Sequence, residues 1–183
     1  MIPRLLNLIV LLLEARGLYI SITSRKWKIL IFYTQLSNLV TAMSSVLYIL
    51  CPVAPGVVIL RYLSTCMLVM TFLVTTCVLI PMGGDAKKLL WSGNGIYHHV
   101  LCPVVSTISY VGFERHSSPV WLPVAVTLVY GIVMLYLNWI RKVDGPYPFF
   151  RVHQQSVGKT VLWMVVLMAV MAAISAGVAA VAT

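Results

Sequence analysis

Long apolar runs alternate with short polar breaks from one end of the chain to the other. The runs are approximately Leu5–Thr23, Ile29–Leu50, Val57–Ile80, Tyr97–Phe113, Val120–Ile140 and Thr160–Val181. A bilayer core about 30 Å thick takes about 20 apolar residues per helix, so the pattern predicts six transmembrane helices. The breaks carry strong punctuation. Pro81-Met82-Gly83-Gly84-Asp85 and Trp91-Ser92-Gly93-Asn94-Gly95 are turns, and Asp144-Gly145-Pro146-Tyr147-Pro148-Phe149-Phe150 cannot continue a helix. None of these breaks leaves room for a soluble domain. The expected architecture is an all-α membrane protein, a single bundle of six transmembrane helices covering residues 1–183 as one domain.

The second run departs from the others. Thr34, Asn38, Thr41 and Ser45 recur at helical spacing, so one face of an otherwise apolar helix is polar. Such a stripe is most often inter-helix glue, because a buried Ser or Thr hydroxyl readily bonds its own i−4 carbonyl. Glu14 in the first run is harder to account for. An intramembrane carboxylate is expensive and points to function by default. Arg16, two residues on, does not share its face. Glu14 therefore needs a partner from another helix, Arg61 or the His98-His99 pair, or else is protonated.

Composition agrees with the pattern: 61% of residues are hydrophobic and 9% charged, against about 25% charged in soluble domains. The net charge of +9 would suit a nucleic-acid binder, but its distribution argues for topology instead. Arg25, Lys26, Lys28, Lys87, Lys88, Arg141, Lys142, Arg151 and Lys159 fall on one side, and Arg4, Arg61 and Arg115 on the other. The positive-inside rule places the first group in the cytoplasm and both termini outside. The basic side also meets anionic lipid, so the expected partners are membrane lipids and no nucleic acid. Arg4 before an apolar run imitates a signal peptide, but Glu14 and Arg16 interrupt that run and no small-residue cleavage site follows, so a retained first helix is expected.

Cys51, Cys66, Cys77 and Cys102 show no C-x-x-C spacing and read as apolar packing residues. His98 and His99 are adjacent and point about 100° apart on a helix, so they do not chelate as an i, i+4 pair would. No metal site and no cofactor is expected.

Sidedness brings the reactive residue types together. Thr34 is expected about 8 Å into the second helix from its cytoplasmic end, at 1.5 Å per residue. His98 and His99 open the fourth helix from the same side, and the Asp144–Phe150 loop lies there too. Its aromatics either form an interfacial belt or dip back into the bundle. A buried hydroxyl near an imidazole is the minimum kit for a nucleophile and its base.

Three stretches carry a resemblance. They are Trp27-Lys28 with Phe32-Tyr33-Thr34-Gln35-Leu36-Ser37-Asn38-Leu39, then Gly93-Asn94-Gly95-Ile96-Tyr97-His98-His99-Val100-Leu101-Cys102-Pro103 continuing to Phe113-Glu114, and Gly145-Pro146-Tyr147-Pro148-Phe149. In that order, and within six spans, they resemble the androgen-induced and androgen-dependent-TFPI-regulating family of membrane proteins, above all its short bacterial relatives. The loops here are shorter than in the eukaryotic members. The resemblance implies an intramembrane threonine hydrolase of lipid esters, such as fatty acid esters of hydroxy fatty acids. Thr34 matches the nucleophile. The bacterial-type spacing to Pro103 selects His99 as the base, the eukaryotic spacing selects His98, and His99 is preferred.

On this reading Ser37, Asn38 and Asn94 are candidate oxyanion donors, and with Glu14 and Tyr147 they form the expected substrate-binding set. The expected location is a bacterial cell membrane, as a multi-pass protein compatible with a homo-oligomer. The competing readings are a small-molecule or ion transporter using Glu14 and the polar residues Ser64, Thr71 and Thr75, and a non-catalytic lipid-binding protein.

Overall fold

The computed structural model describes residues 1–116 and 119–182, without the side chains of Arg25 and Trp27. Trp27 of the first motif is thus outside the described side chains. Among the described residues there is no strand. The principal helices are α1 (Ile2–Arg25), α2 (Tyr33–Leu50), α3 (Pro55–Leu79), α4 (Ile96–Glu114), α5 (Trp121–Trp139) and α6 (Val157–Ala182). α1 packs on α2 and α4, α3 packs on α2 and α4, and α5 pairs with α6.

Five of these helices, α1, α3, α4, α5 and α6, are long and apolar enough to cross a membrane, which makes an all-α integral membrane protein. α2 falls outside that set because of its stripe. Its buried residues are Tyr33, Thr34, Gln35, Ser37, Asn38, Thr41, Ser44, Ser45 and Tyr48, so the face turned inward is the polar one.

The side of the bundle built by α1, α2 and α4 shares that inversion, while an apolar core of Met67, Met70, Met134, Leu167 and Met171 fills the space between α3, α5 and α6. Leu12, Tyr19, Val129, Tyr136, Leu162 and Val165 stand exposed, whereas Asn7, Glu14, Asn38, Arg61 and His98 are fully buried. In a lipid solvent apolar surface costs nothing, and polar side chains gain by facing one another.

Helix boundaries shift the candidate nucleophile. Lys26–Ile31 winds as a 3₁₀ segment, and Phe32 is extended at φ −90° and ψ 127° before α2 starts at Tyr33. Thr34 is therefore the second residue of α2 rather than about five residues inside it. It sits at a helix N-terminus, where backbone N–H groups lack intrahelical acceptors and the helix dipole is positive.

Two further local features frame the site. α3 ends in a π-helical turn, Thr75–Leu79, closed by Ile80 N–H donating to Thr75 O at 3.1 Å. α4 begins with another, Ile96–Leu101, which carries both histidines. Gly93, at φ +58°, makes the left-handed turn that launches α4. The Asp144–Phe150 loop turns inward: Tyr147, Phe149 and Phe150 are buried, and Tyr147 stacks on Phe149 with centroids 5.2 Å apart. Phe149 meets Trp163 of α6, and Phe150 meets Tyr130 of α5. Of the two expectations for these aromatics, the inward one describes the loop.

Candidate functional site

Thr34, His99 and Tyr147 line one cavity of about 590 Å³ at the end of the bundle where α2 and α4 begin. Its walls come from the start of α2, the end of α3, the Ser92–Gly95 turn before α4 and the Pro146–Pro148 loop. Lys88 and Asn94 also face it. Thr34 and Tyr147 are shared with a second space, a narrow apolar slot of about 40 Å³ between α3, α5 and α6. Met70, Met164, Met168, Leu167 and Phe150 are among the residues of its wall. Thr34, 7% exposed, thus stands between a roomy vestibule of mixed polar and apolar lining and a tight apolar recess.

The backbone of Thr34 is held from below. Asn38 Nδ2 donates to Thr34 O at 2.6 Å and Ser37 Oγ donates to it at 2.9 Å. Ser37 also bonds Thr71 Oγ1 of α3 at 3.0 Å. Ser37 and Asn38 were expected as substrate contacts, but neither lines a cavity. They brace the Thr34 peptide, and Ser37 also ties α2 to α3.

From above, Thr34 meets the inward loop. Tyr147 OH lies 3.4 Å from Thr34 Oγ1 and accepts weakly from Thr34 N–H at 3.4 Å. Burial raises the Tyr147 phenol well above its ordinary titration range, so it stays a neutral O–H donor at working pH.

The two histidines face different surroundings. His99 is half-buried, lines the vestibule, and places Nδ1 2.7 Å from Thr75 Oγ1 at the start of the α3 π turn. His98 is fully buried and lines neither cavity. Its Nδ1 receives Gln35 Nε2 at 3.1 Å, and its Nε2 points towards Glu14 Oε2, 3.7 Å away. Gly17 of α1 makes room for that ring, since a Cβ there would overlap the imidazole.

Glu14 thus lies beside His98 without a hydrogen bond to it, and Arg61 is engaged elsewhere. Neither Glu14 oxygen accepts an N–H or O–H bond from the chain, and it lies away from both cavities.

Arg61 closes the far end of the bundle. Its Nε and Nη2 fork onto Glu114 Oε2 and Oε1, both at 2.9 Å, with both side chains fully buried. Asn7 Nδ2 and Ser109 Oγ donate to the same carboxylate at 2.8 and 2.7 Å. A bidentate, fully hydrogen-bonded pair is the form in which charges are tolerated in a low-dielectric interior.

Asn94, the remaining expected contact, lines the vestibule while its Nδ2 donates to Ser21 Oγ at 2.8 Å. The site also recruits Gln35, Lys88 and Thr75. Gln35 neighbours Thr34, and Thr75 belongs to the polar face of the third run, so the signal for both lay in the stripes. Nothing in the sequence tied Lys88 to a cavity. Among the described residues no cluster of His, Cys, Asp and Glu could hold a metal ion.

The chain matches no protein-family model, no curated protein and no solved structure.

Proposed function

We propose that the chain is an intramembrane hydrolase of lipid esters, with Thr34 as nucleophile and His99 as base. The observation that carries this reading is the shared cavity: Thr34 and His99 line one vestibule, and Thr34 alone of the pair also lines the apolar recess. An ester at Thr34 would set the first carbons of its acyl chain against the tight apolar recess and its leaving group in the vestibule. Pockets that take small molecules are built this way, mostly apolar with a few converging polar groups.

His99 takes the Thr34 proton as Oγ1 bonds to the ester carbonyl carbon. The C–O bond to the alcohol then breaks, and His99 returns that proton to the departing oxygen, leaving acyl-threonine. Water from the vestibule repeats the sequence: it gives a proton to His99, its oxygen bonds to the acyl carbon, and Thr34 recovers the proton as the fatty acid leaves. Tyr147 O–H, 3.4 Å from Thr34 Oγ1, is the donor placed where the oxyanion develops. A donor of that kind is worth about 3 kcal/mol. No metal or organic cofactor has a place in this scheme.

The membrane setting follows the same reading. α2, sheltered by its neighbours, completes a six-span bundle in a bacterial cell membrane, with both termini extracytoplasmic and the vestibule open to the cytoplasm.

The test is labelling by a fluorophosphonate probe together with fatty-acid release from a panel of lipid esters. Thr34→Ala and His99→Ala are expected to abolish both while the protein keeps its elution profile and melting temperature. Undiminished labelling of both variants overturns the assignment.

A further inference from the structure

The two π-helical turns meet at one hydrogen bond. Thr75 opens the turn in α3, His99 lies inside the turn in α4, and Thr75 Oγ1 is 2.7 Å from His99 Nδ1. A π turn inserts an extra residue into the helical ladder, rotating everything beyond it relative to a straight α-helix, and such turns gather at functional sites. Here α3 and α4 each place one against the other, α4 having a second at Tyr110–Glu114, and the residues that face each other across the gap are a hydroxyl and an imidazole. Thr75 is only 1% exposed, so no bulk water competes for the bond. It also lines the apolar recess next to Thr34, while His99 lines the vestibule.

The geometry points to Thr75 as the positioning residue of the His99 base. This inference rests on the hydrolase reading and adds a third member to its machinery. A base that acts through Nε2 must carry its proton on Nδ1, and the bond made by one ring nitrogen sets the role of the other. Thr75 Oγ1 accepts Nδ1–H, which holds the imidazole in that tautomer, blocks rotation of the ring, and leaves the Nε2 lone pair to receive the Thr34 proton. An orienting partner on the far nitrogen is the general requirement for a nucleophile–base pair. A neutral hydroxyl in that place suits an apolar site, because it brings no charge that would need burial.

His98 offers the contrast. Its two nitrogens face Gln35 and Glu14, and it has no line to either cavity. Adjacent in sequence, the two histidines are divided by their neighbours into a helix-packing residue and a reacting one.

The experiment compares Thr75→Val, which keeps shape and loses the hydroxyl, with Thr75→Ser, which keeps the hydroxyl. Steady-state turnover of a lipid ester is measured alongside ¹⁵N spectra of the histidine rings in detergent micelles. Thr75→Val is expected to lower kcat about tenfold or more, within the range general-base catalysis commands, and to leave KM within about twofold. Thr75→Ser is expected to restore most of kcat. The His99 ring, identified by its loss in His99→Ala, is expected in the Nδ1–H tautomer in the parent and in Thr75→Ser, and in a mixture of tautomers in Thr75→Val.

An unchanged kcat in Thr75→Val, or an Nε2–H tautomer in the parent, overturns the inference. Either result leaves the hydrolase reading standing so long as Thr34→Ala and His99→Ala are inactive. If those two variants keep full activity, the hydrolase reading itself has failed.

Discussion

Tyr147 shows how much a single side chain can concentrate. Its ring is fixed by Phe149 and Phe150, with Phe32 edge-on at 6.2 Å, and its hydroxyl touches both the backbone N–H and the side chain of Thr34. Burial keeps that hydroxyl protonated, so it can donate to a developing oxyanion across the whole working pH range. Tyr147→Phe deletes one oxygen and leaves every ring contact in place. The expected result is a fall in kcat of about 100-fold, the scale of one lost oxyanion donor, with the melting temperature nearly unchanged. Turnover that survives at the parent rate would remove Tyr147 from the chemistry and leave it a packing residue. Thr34 itself was legible from the stripe and the resemblance together. Its position in the first turn was not, since nothing in Lys26–Ile31 announces a 3₁₀ segment and the apolar run is continuous across the break.

At the level of helices, what the polar residues do depends on which neighbour each one meets. The stripe of α2 was readable by spacing alone: Asn38 braces Thr34 and Thr41 bonds Ser37 O within the helix, while the neighbouring Ser37 and Ser44 reach α3 at Thr71 and Ser64, 3.0 and 2.9 Å away. The π turns at Thr75–Leu79 and Ile96–Leu101 could not be read, because they arise from how α3 and α4 fit together rather than from local propensity. That is why Thr75 passed as one more polar residue, and why the preference for His99 over His98 rested on the spacing to Pro103 and not on what each ring meets. Close approach of α1 and α4 at Gly17 belongs to the same scale. A Cβ at Gly17 would run into the His98 ring, which is walled in by Gln35 and Glu14 and has nowhere to swing. Gly17→Ala is expected to cost about 1–3 kcal/mol, the usual range for overpacking, read as a lower melting temperature in detergent. His98→Ala in the same chain should recover much of that loss, so the double-mutant cycle shows strong coupling. Additive effects would mean the two helices part easily at that point.

The molecule is apolar outside, its interior combines a polar half around α2 with an apolar half between α3, α5 and α6, and its two ends differ. One end holds the vestibule, Lys88 and most of the basic residues. The other holds the Arg61–Glu114 fork with Asn7, Ser106 and Ser109 packed about it. A buried ion pair saturated with hydrogen bonds makes a closed plug, which sits poorly with a through-going transport path and well with a site served from one side. Charge asymmetry then sets which side that is. The native cysteines give a direct test. Cys51 is exposed in the turn between α2 and α3, at the end away from the vestibule, whereas Cys66 and Cys102 are buried in the bundle. In a variant whose sole thiol is Cys51, a membrane-impermeant maleimide added to intact cells is expected to react, because the proposed topology turns that loop outward with both termini. In a cysteine-free variant carrying Lys87→Cys, the same reagent should react only after the membrane is opened, since Lys87 is exposed at the vestibule end. The reverse pattern would invert the topology and place Thr34 and its vestibule on the extracytoplasmic side, where the ester would have to arrive from the outer leaflet.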